Sequence, residues 1–428
     1  MPVRRAHRKS VLGCRTCKKR RVKCDLNRPE CLNCTRLGRE CGFRFLDPAP
    51  RSLVTVKQVN VAPPPPPPQF MPDPSFLDSF LEPLPPALRA RFTQLIKYHA
   101  TQTSGTITHN AAAQSTWCSL VPRLSSNHEF VSHGIVGLSA LHQSHYVSSE
   151  TERKTLQDIA AVQMNTGLAS YRECVAHVTP ENAAALYTFS TATTAFVLAT
   201  TVEGCVPLLH SARNDSLSVD EYNSTIEKLA KETAKFMTCF RGVMVIIVPC
   251  WRVMVQGPMR PLLDRDWWPR PFPSSAQALE EDEKLHDLEN LWMRPGRDYE
   301  YWFDTLIHAL KDMRDAFALV SLLTVSDKPN DTIKGSRLLD WSSVFAWITK
   351  TPPGFIMLVE QRNPEAWIIL AHYAILIFRA GDLWWTKGFA DHLVSAAALV
   401  IGPSMHSWIE WPASIIGVDL SSYERRSK

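Results

Sequence analysis

No run of apolar residues in this 428-residue chain reaches the roughly 18–20 positions that a membrane span needs. The two most apolar windows are Val243 to Val255, interrupted by Pro249 and Arg252, and Ala366 to Phe378, 13 residues closed by Arg379. Both read as buried helices, and no membrane span is expected. The N-terminus, MPVRRAHRKS, has no apolar segment behind its charges, so neither a secretory signal nor an oxidising compartment is expected. Signatures of catalysis are missing as well. The helical region contains no phosphate loop, no His-Glu-x-x-His pair and no nucleophile elbow, so no catalytic residue is assigned and no enzyme is expected. Basic excess is absent beyond residue 46: residues 47–428 carry 33 Lys or Arg against 39 acids, a formal −6, whereas residues 1–46 carry 14 against Asp25, Glu30 and Glu40, a formal +11.

That basic end also holds six of the 11 cysteines, in the stretch CRTCKKRRVKCDLNRPECLNCTRLGREC, where nine Lys or Arg share 28 positions with them. Cys14-x2-Cys17-x6-Cys24 is followed by Cys31-x2-Cys34-x6-Cys41, one template written twice. Two Cys-x2-Cys elbows in a reducing compartment are metal ligands by default, because two thiolates three residues apart can close on one tetrahedral zinc. Two zincs need eight ligand positions, so either two of the six thiolates are shared or one site is incomplete. The segment also lacks a core of its own. Its aliphatic residues are Val22, Leu26, Leu32 and Leu37, too few to bury, so metal binding must supply the folding free energy, about 10–16 kcal/mol by zinc-finger precedent.

The same residues resemble the fungal binuclear zinc cluster, and the resemblance covers Cys14 to Cys41 without a gap. It implies two Zn2+ ions bridged by Cys14 and Cys31, with Cys17 and Cys24 completing one site and Cys34 and Cys41 the other. Pro29 falls where that family places a proline between its halves. Six thiolates and two zincs sum to about −2, which leaves the module strongly positive. That charge suits double-stranded DNA, whose counterions it would displace with a steep salt dependence. The family presents the helix after its first elbow to the major groove, which puts Arg21 at the base-reading position. An Arg there can take guanine O6 and N7 in a bidentate contact worth about 1–3 kcal/mol of discrimination. Lys18, Lys19, Arg20 and Lys23 are expected to contact phosphates, which position without specifying. Most members have Lys at the reading position and select CGG. KKRRVKC is instead similar to the form found in fungal sterol-uptake regulators, which read a TCG-containing element, so a CGG- or TCG-type core is expected. Arg4 to Lys9 and Lys18 to Lys23 can double as a nuclear-import tag.

Beyond Cys41 the composition changes. Pro63 to Pro68 is an unbroken proline run, which favours an extended, semi-rigid spacer. Leu53, Val56 and Val59 amount to one heptad, below the three or four a coiled coil needs, so a homodimer would have to form elsewhere. Phe70 to Pro86 mixes acids with Phe76, Leu77, Phe80 and Leu81. It reads equally as an acidic-hydrophobic activation segment or as a short helix capped by Ser75 and docked on the helical domain after it. From Leu88 onward the pattern is helical: Leu88, Phe92, Leu95, Ile96 and His99, then Val131, Ile135, Leu138 and Leu141, recur at helix spacing. Thr179-Pro180, Asn363-Pro364 and the capping box Ser218-x-x-Glu221 mark helix starts. No hairpin signal stands out. The acidic run Glu280 to Glu283 reads as a solvated loop or helix edge, His372 as a satisfied core histidine, and Cys118, Cys174, Cys205, Cys239 and Cys250 as scattered buried thiols.

Three blocks of this region, Trp117 to His145, Phe240 to Leu263 and Ala366 to Pro412, resemble the regulatory domain of fungal transcription factors of the sterol-uptake-regulator type. In that family the helical bundle senses a hydrophobic ligand and controls nuclear entry. All 13 tryptophans follow residue 116, which would suit a lipid pocket but suits a core equally well. The expected architecture is a small cluster module with two short zinc-bound helices at 1–46, a Pro-rich linker at 47–87 and a large all-α regulatory domain at 88–428. The expected function is zinc-dependent, sequence-specific regulation of RNA polymerase II transcription in the nucleus, with DNA, the transcription machinery and a hydrophobic small molecule as partners. The competing reading is an interaction protein whose basic module binds nucleic acid nonspecifically or docks an acidic partner. Shuttling from the cytoplasm, and secondary-metabolite genes rather than sterol genes as targets, are left open by the sequence.

Overall fold

The structure, a computed structural model, describes residues 15–20, 22, 24, 32–37, 39, 78–108, 110–214, 216–263, 272–326, 336–381 and 383–423. The chain divides into two compact units, Met1–Pro68 with Trp267–Arg270, and Gln69–Asp266 with Pro271–Lys428. The proline run Pro63 to Pro68, the heptad Leu53, Val56 and Val59, and Ser75, Phe76 and Leu77 lie outside the described residues.

In the first unit two short helices, α1 (Arg15–Lys19) and α2 (Leu32–Thr35), pack on each other. The second unit opens with α3 (Asp78–Leu81) and α4 (Pro86–Tyr98). Phe80 and Leu81 are buried there, and the Phe80 ring lies 6.1 Å from Phe92 and edge-on to His133 at 5.1 Å. At these two residues the segment is docked.

One π-helical turn, His99–Thr103, follows α4. Then come α5 (Ala111–Leu124), α6 (Glu129–Ser144), α7 (Glu150–Val175), α8 (Ala183–Ala212) and α9 (Val219–Gln256). Val131, Ile135, Leu138 and Leu141 are all buried on α6, as their spacing requires. Gly134 on α6 and Gly167 on α7 both abut the Phe189 ring of α8. A Cβ would come within 2.8 Å of that ring from Gly134 and 2.7 Å from Gly167. The ring of Phe189 occupies the space that two missing side chains leave.

The remaining elements are α10 (Ala276–His286), α11 (Phe303–Leu323), strands β1 (Thr324–Ser326) and β2 (Ser336–Leu338), α12 (Pro353–Glu360), α13 (Pro364–Arg379), α14 (Phe389–Ile401) and α15 (Glu410–Ile416). Every residue of α13 from Ala366 to Ile377 is at most 2% exposed, so this helix is the centre of the core. Its cap is the one the sequence announces: Asn363 accepts from the Ala366 amide, with Pro364 in the first turn. Ser218 and Glu221 likewise form the complete capping box of α9. After Thr179 the helix begins later, at Ala183, once Thr179 and Asn182 have exchanged backbone-to-side-chain hydrogen bonds.

Three expectations need correction. An antiparallel ribbon is present, pairing Thr324 with Leu338, Val325 with Arg337 and Ser326 with Ser336. Three-residue strands are too short to show the alternation by which strands are read. The acidic run is not a solvated edge throughout. It lies on α10, where Glu281 is buried against Arg379 of α13 and Asp282 takes Arg314 of α11 in two bonds of 2.7 Å. Both partners are distant in sequence, so nothing local marks the run as paired. Finally, Ala183–Ala212 and Val219–Gln256 are each long and apolar enough to cross a membrane by length and composition. Pro249 does not break α9, which runs through it. Both helices pack along each other within the same unit.

Candidate metal centre and effector cavity

The first unit expresses the sequence repeat as a geometric one. Each short helix begins one residue after the first cysteine of its half, and each carries the second cysteine, Cys17 on α1 and Cys34 on α2. Each then turns back in the same way. The Val22 amide donates to the Cys17 carbonyl at 3.1 Å, and the Arg39 amide donates to the Cys34 carbonyl at 3.0 Å, five residues on in both cases. This return hydrogen bond was not read from the sequence, although the doubled spacing was its signal.

Cys17, Cys24 and Cys34 are buried, and the Cys17 and Cys34 sulfurs lie 4.0 Å apart. A disulfide requires about 2.05 Å, so these two sulfurs are not joined to each other. Buried thiols not joined by a disulfide, in a segment too poor in apolar residues to form a core, fit metal ligation. Among the described residues no group of three metal-binding side chains converges, since Cys14, Cys31 and Cys41 lie outside them. Arg21 and Lys23 also lie outside, and Lys18 is placed only as a position on α1. Lys19 is exposed. Arg20 is half-buried, its amide donates to the Thr16 carbonyl at 3.1 Å, and its Nη1 is buried without a hydrogen-bond partner among the described residues. Of the two, Lys19 is open to solvent and Arg20 only partly so.

In the second unit most tryptophans are committed to the core. Trp347 donates to the Ala309 carbonyl, Trp367 to the Val359 carbonyl, and Trp117 to Nε2 of His99 at 2.8 Å. Burial drives the His99 pKa down to about 3 and the His372 and His392 pKa values to about 4, so all three are neutral. His372 donates from Nδ1 to the Ile368 carbonyl at 2.8 Å, a satisfied core histidine as expected. Burial also pushes the Cys205 and Cys239 thiols up to about 11, which leaves them protonated and unreactive at neutral pH.

A cavity of about 850 Å³ opens between the end of α13, the start of α14 and the β ribbon, with Ile377, Leu383, Trp384, Lys387, Ala390 and Ile416 among its walls. No feature of the sequence located it, because its walls come from segments as distant as His145 and Ile416. Trp384 is held from behind. It stacks on His142 at 4.6 Å and donates to the Thr106 hydroxyl at 2.8 Å.

Residues 12–49 match the fungal Zn(2)-Cys(6) binuclear cluster domain. Across 99% of its length the chain is 25% identical to a Zn(2)-C6 fungal-type transcription factor of Gibberella zeae, 88% of which is covered. A shorter stretch, 43% of this chain and 45% of the relative, is 32% identical to the Zn(2)-C6 fungal-type transcription factor afumD of Aspergillus fumigatus. Over 62 residues, 14% of this chain and 9% of the relative, identity to sterol uptake control protein 2 of Candida albicans reaches 52%.

Proposed function

We propose, on the premise that this chain carries a fungal Zn(2)-Cys(6) binuclear cluster domain and is a homologue of fungal Zn(2)-C6 transcription factors, that it reads a guanine-containing core through Arg21 and is governed by an effector of its helical unit. The domain binds two zinc ions, and the coarse function implied is zinc-dependent DNA binding in the regulation of transcription. Proteins of this family act in the nucleus.

What supports the finer reading is the pair of matching turns, each carrying a buried cysteine, Cys17 and Cys34, amid the basic residues of the N-terminus. In this reading Cys14 and Cys31 would be shared between the zincs, Cys17 and Cys24 would complete one site, and Cys34 and Cys41 the other. Bound zinc would supply the folding free energy this core-poor module lacks, and the chain's own residues do the recognition. Arg21 donates to guanine O6 and N7 in a CGG- or TCG-type core, while Lys18, Lys19, Arg20 and Lys23 hold phosphates. Regulation of RNA polymerase II genes is the corresponding role.

The 850 Å³ cavity supports a small-molecule effector, which would control activity and nuclear entry. A sterol is one candidate. The 62-residue match to a sterol uptake control protein is too short to speak for the helical unit, so that choice rests on the resemblance of the regulatory blocks.

Base specificity is the test. Arg21→Ala should change which core is selected and cost about 1–3 kcal/mol on the preferred one. Lys19→Ala should weaken all sequences alike and make the dependence on salt shallower. If both substitutions weakened every sequence equally, the module would be a nonspecific basic surface, as the competing interaction reading requires.

A further inference from the structure

We infer that Arg20 is a positioning residue of the metal centre, its guanidinium donating from Nη1 to a zinc-bound cysteine thiolate. The inference rests on the reading of the cysteine-rich module as a two-zinc centre, and it gives one of the basic residues a duty toward the cluster besides the one toward DNA. Arg20 follows directly on α1, and its amide donates to the Thr16 carbonyl four residues back, so the helical turn continues through it. Cys17 stands three residues before it, which places both on the same side of that turn. Cys17 is 0% exposed, and Cys24 and Cys34 are 4% and 0%. Arg20 is half-buried, yet its Nη1 is enclosed and has no hydrogen-bond partner among the described residues.

An enclosed guanidinium nitrogen left unpaired is costly, so it calls for an acceptor, best an anionic one. A neutral thiol is a weak acceptor, whereas a thiolate on zinc carries charge. Six thiolates and two zinc ions leave about −2 on the cluster, in a module that buries its cysteines beside this residue. The carboxylates of residues 1–46 are Asp25, Glu30 and Glu40, and all three lie outside the described residues. The nearest of them in sequence, Asp25, comes after Cys24, while Cys17 is on Arg20's own turn. A hydrogen bond from Arg20 draws charge off the sulfur, favours the deprotonated thiolate and fixes its direction, as outer partners of zinc ligands do. Arginine carries five donors in a planar fork, so one N–H turned inward leaves others for a phosphate.

The test is the zinc affinity of the full-length chain, measured without DNA by competition with a chromogenic chelator, together with the thiolate-to-cobalt charge-transfer band of the chain loaded with Co2+ instead. Arg20→Met is compared with Lys19→Met, the exposed neighbour, and with Arg20→Lys, which keeps a charged donor. The expected result for Arg20→Met is a loss of roughly tenfold or more in zinc affinity, with the band moved to lower energy because a sulfur has lost its donor. Arg20→Lys should recover part of both, and Lys19→Met should move neither. If Arg20→Met takes up no metal, Arg20→Lys carries the test through an intermediate affinity and band position. Equal effects in Arg20→Met and Lys19→Met overturn the inference, and so does a lower affinity with an unmoved band, which packing alone would give. If Asp25→Asn, Glu30→Gln or Glu40→Gln reproduces the loss and adds nothing to it in the double variant with Arg20→Met, the partner is a carboxylate and the thiolate assignment falls. These outcomes leave base reading by Arg21 standing, whereas failure of the unsubstituted chain to bind zinc removes the metal-centre reading and the inference with it.

Discussion

Burying an imidazole with no anion beside it fixes its protonation state, and His99, His372 and His392 are all so placed. Each has a neutral partner: Ser139 and Trp117 for His99, the Ile368 carbonyl for His372, Thr233 for His392. Their folded pKa values, about 3, 4 and 4, lie below the ordinary 6.5. Between those limits the unfolded chain therefore binds more protons than the folded one. The stability these groups leave intact is fully present above pH 6.5 and is lost as the pH falls towards 4, at about 1.4 kcal/mol per pH unit for each histidine. Thermal unfolding monitored at 222 nm should accordingly come at a lower temperature at pH 5 than at pH 7, and His372→Gln should make that dependence shallower. An identical slope in the variant would mean that His372 is not among the groups that titrate. His372 is legible as a core residue because it sits in a continuous apolar stripe. The partners of His99 are not, since Ser139 and Trp117 reach it across 40 and 18 residues.

At the scale of the element, close approach of helices depends on what is missing as much as on what is present. Phe189 of α8 lies against Gly134 of α6 and Gly167 of α7, at distances that no Cβ tolerates. Gly167→Ala should therefore destabilise the helical unit by about 1–3 kcal/mol, the usual cost of overpacking, whereas Gly204→Ala, which meets nothing within 4 Å, should be neutral or slightly stabilising. Equal unfolding midpoints in denaturant for the two would contradict this packing. The Glu281–Arg379 pair between α10 and α13 has both side chains 7% exposed. Arg379→Met alone leaves a buried carboxylate and should cost about 3–5 kcal/mol, while Glu281→Met with Arg379→Met should cost much less. Equal denaturation midpoints for single and double variants would show that the two charges are not coupled.

What is legible in the sequence depends on range. Asn363-Pro364 and Ser218-x-x-Glu221 can be read because a cap is made within four residues. Glu281 reads as a solvated charge because its partner is 98 residues away. The π-helical turn after α4 and the three-residue strands leave no periodicity to find. At the candidate metal centre the doubled cysteine spacing is matched by the Val22 and Arg39 turns.

For the molecule as a whole, the two units hold their structure by different means. The helical unit buries an extensive core centred on α13, whereas the cysteine-rich module has too few apolar residues to fold without metal. Chelation should remove DNA binding while leaving the helical signal and its melting temperature nearly unchanged. The most direct measurement is selection of binding sites from a random DNA pool by the full-length chain, with zinc and with chelator. A CGG- or TCG-type core enriched only in the presence of zinc is the result expected of a zinc-folded module that reads bases. No enriched core, with salt-sensitive binding to every sequence alike, would contradict it.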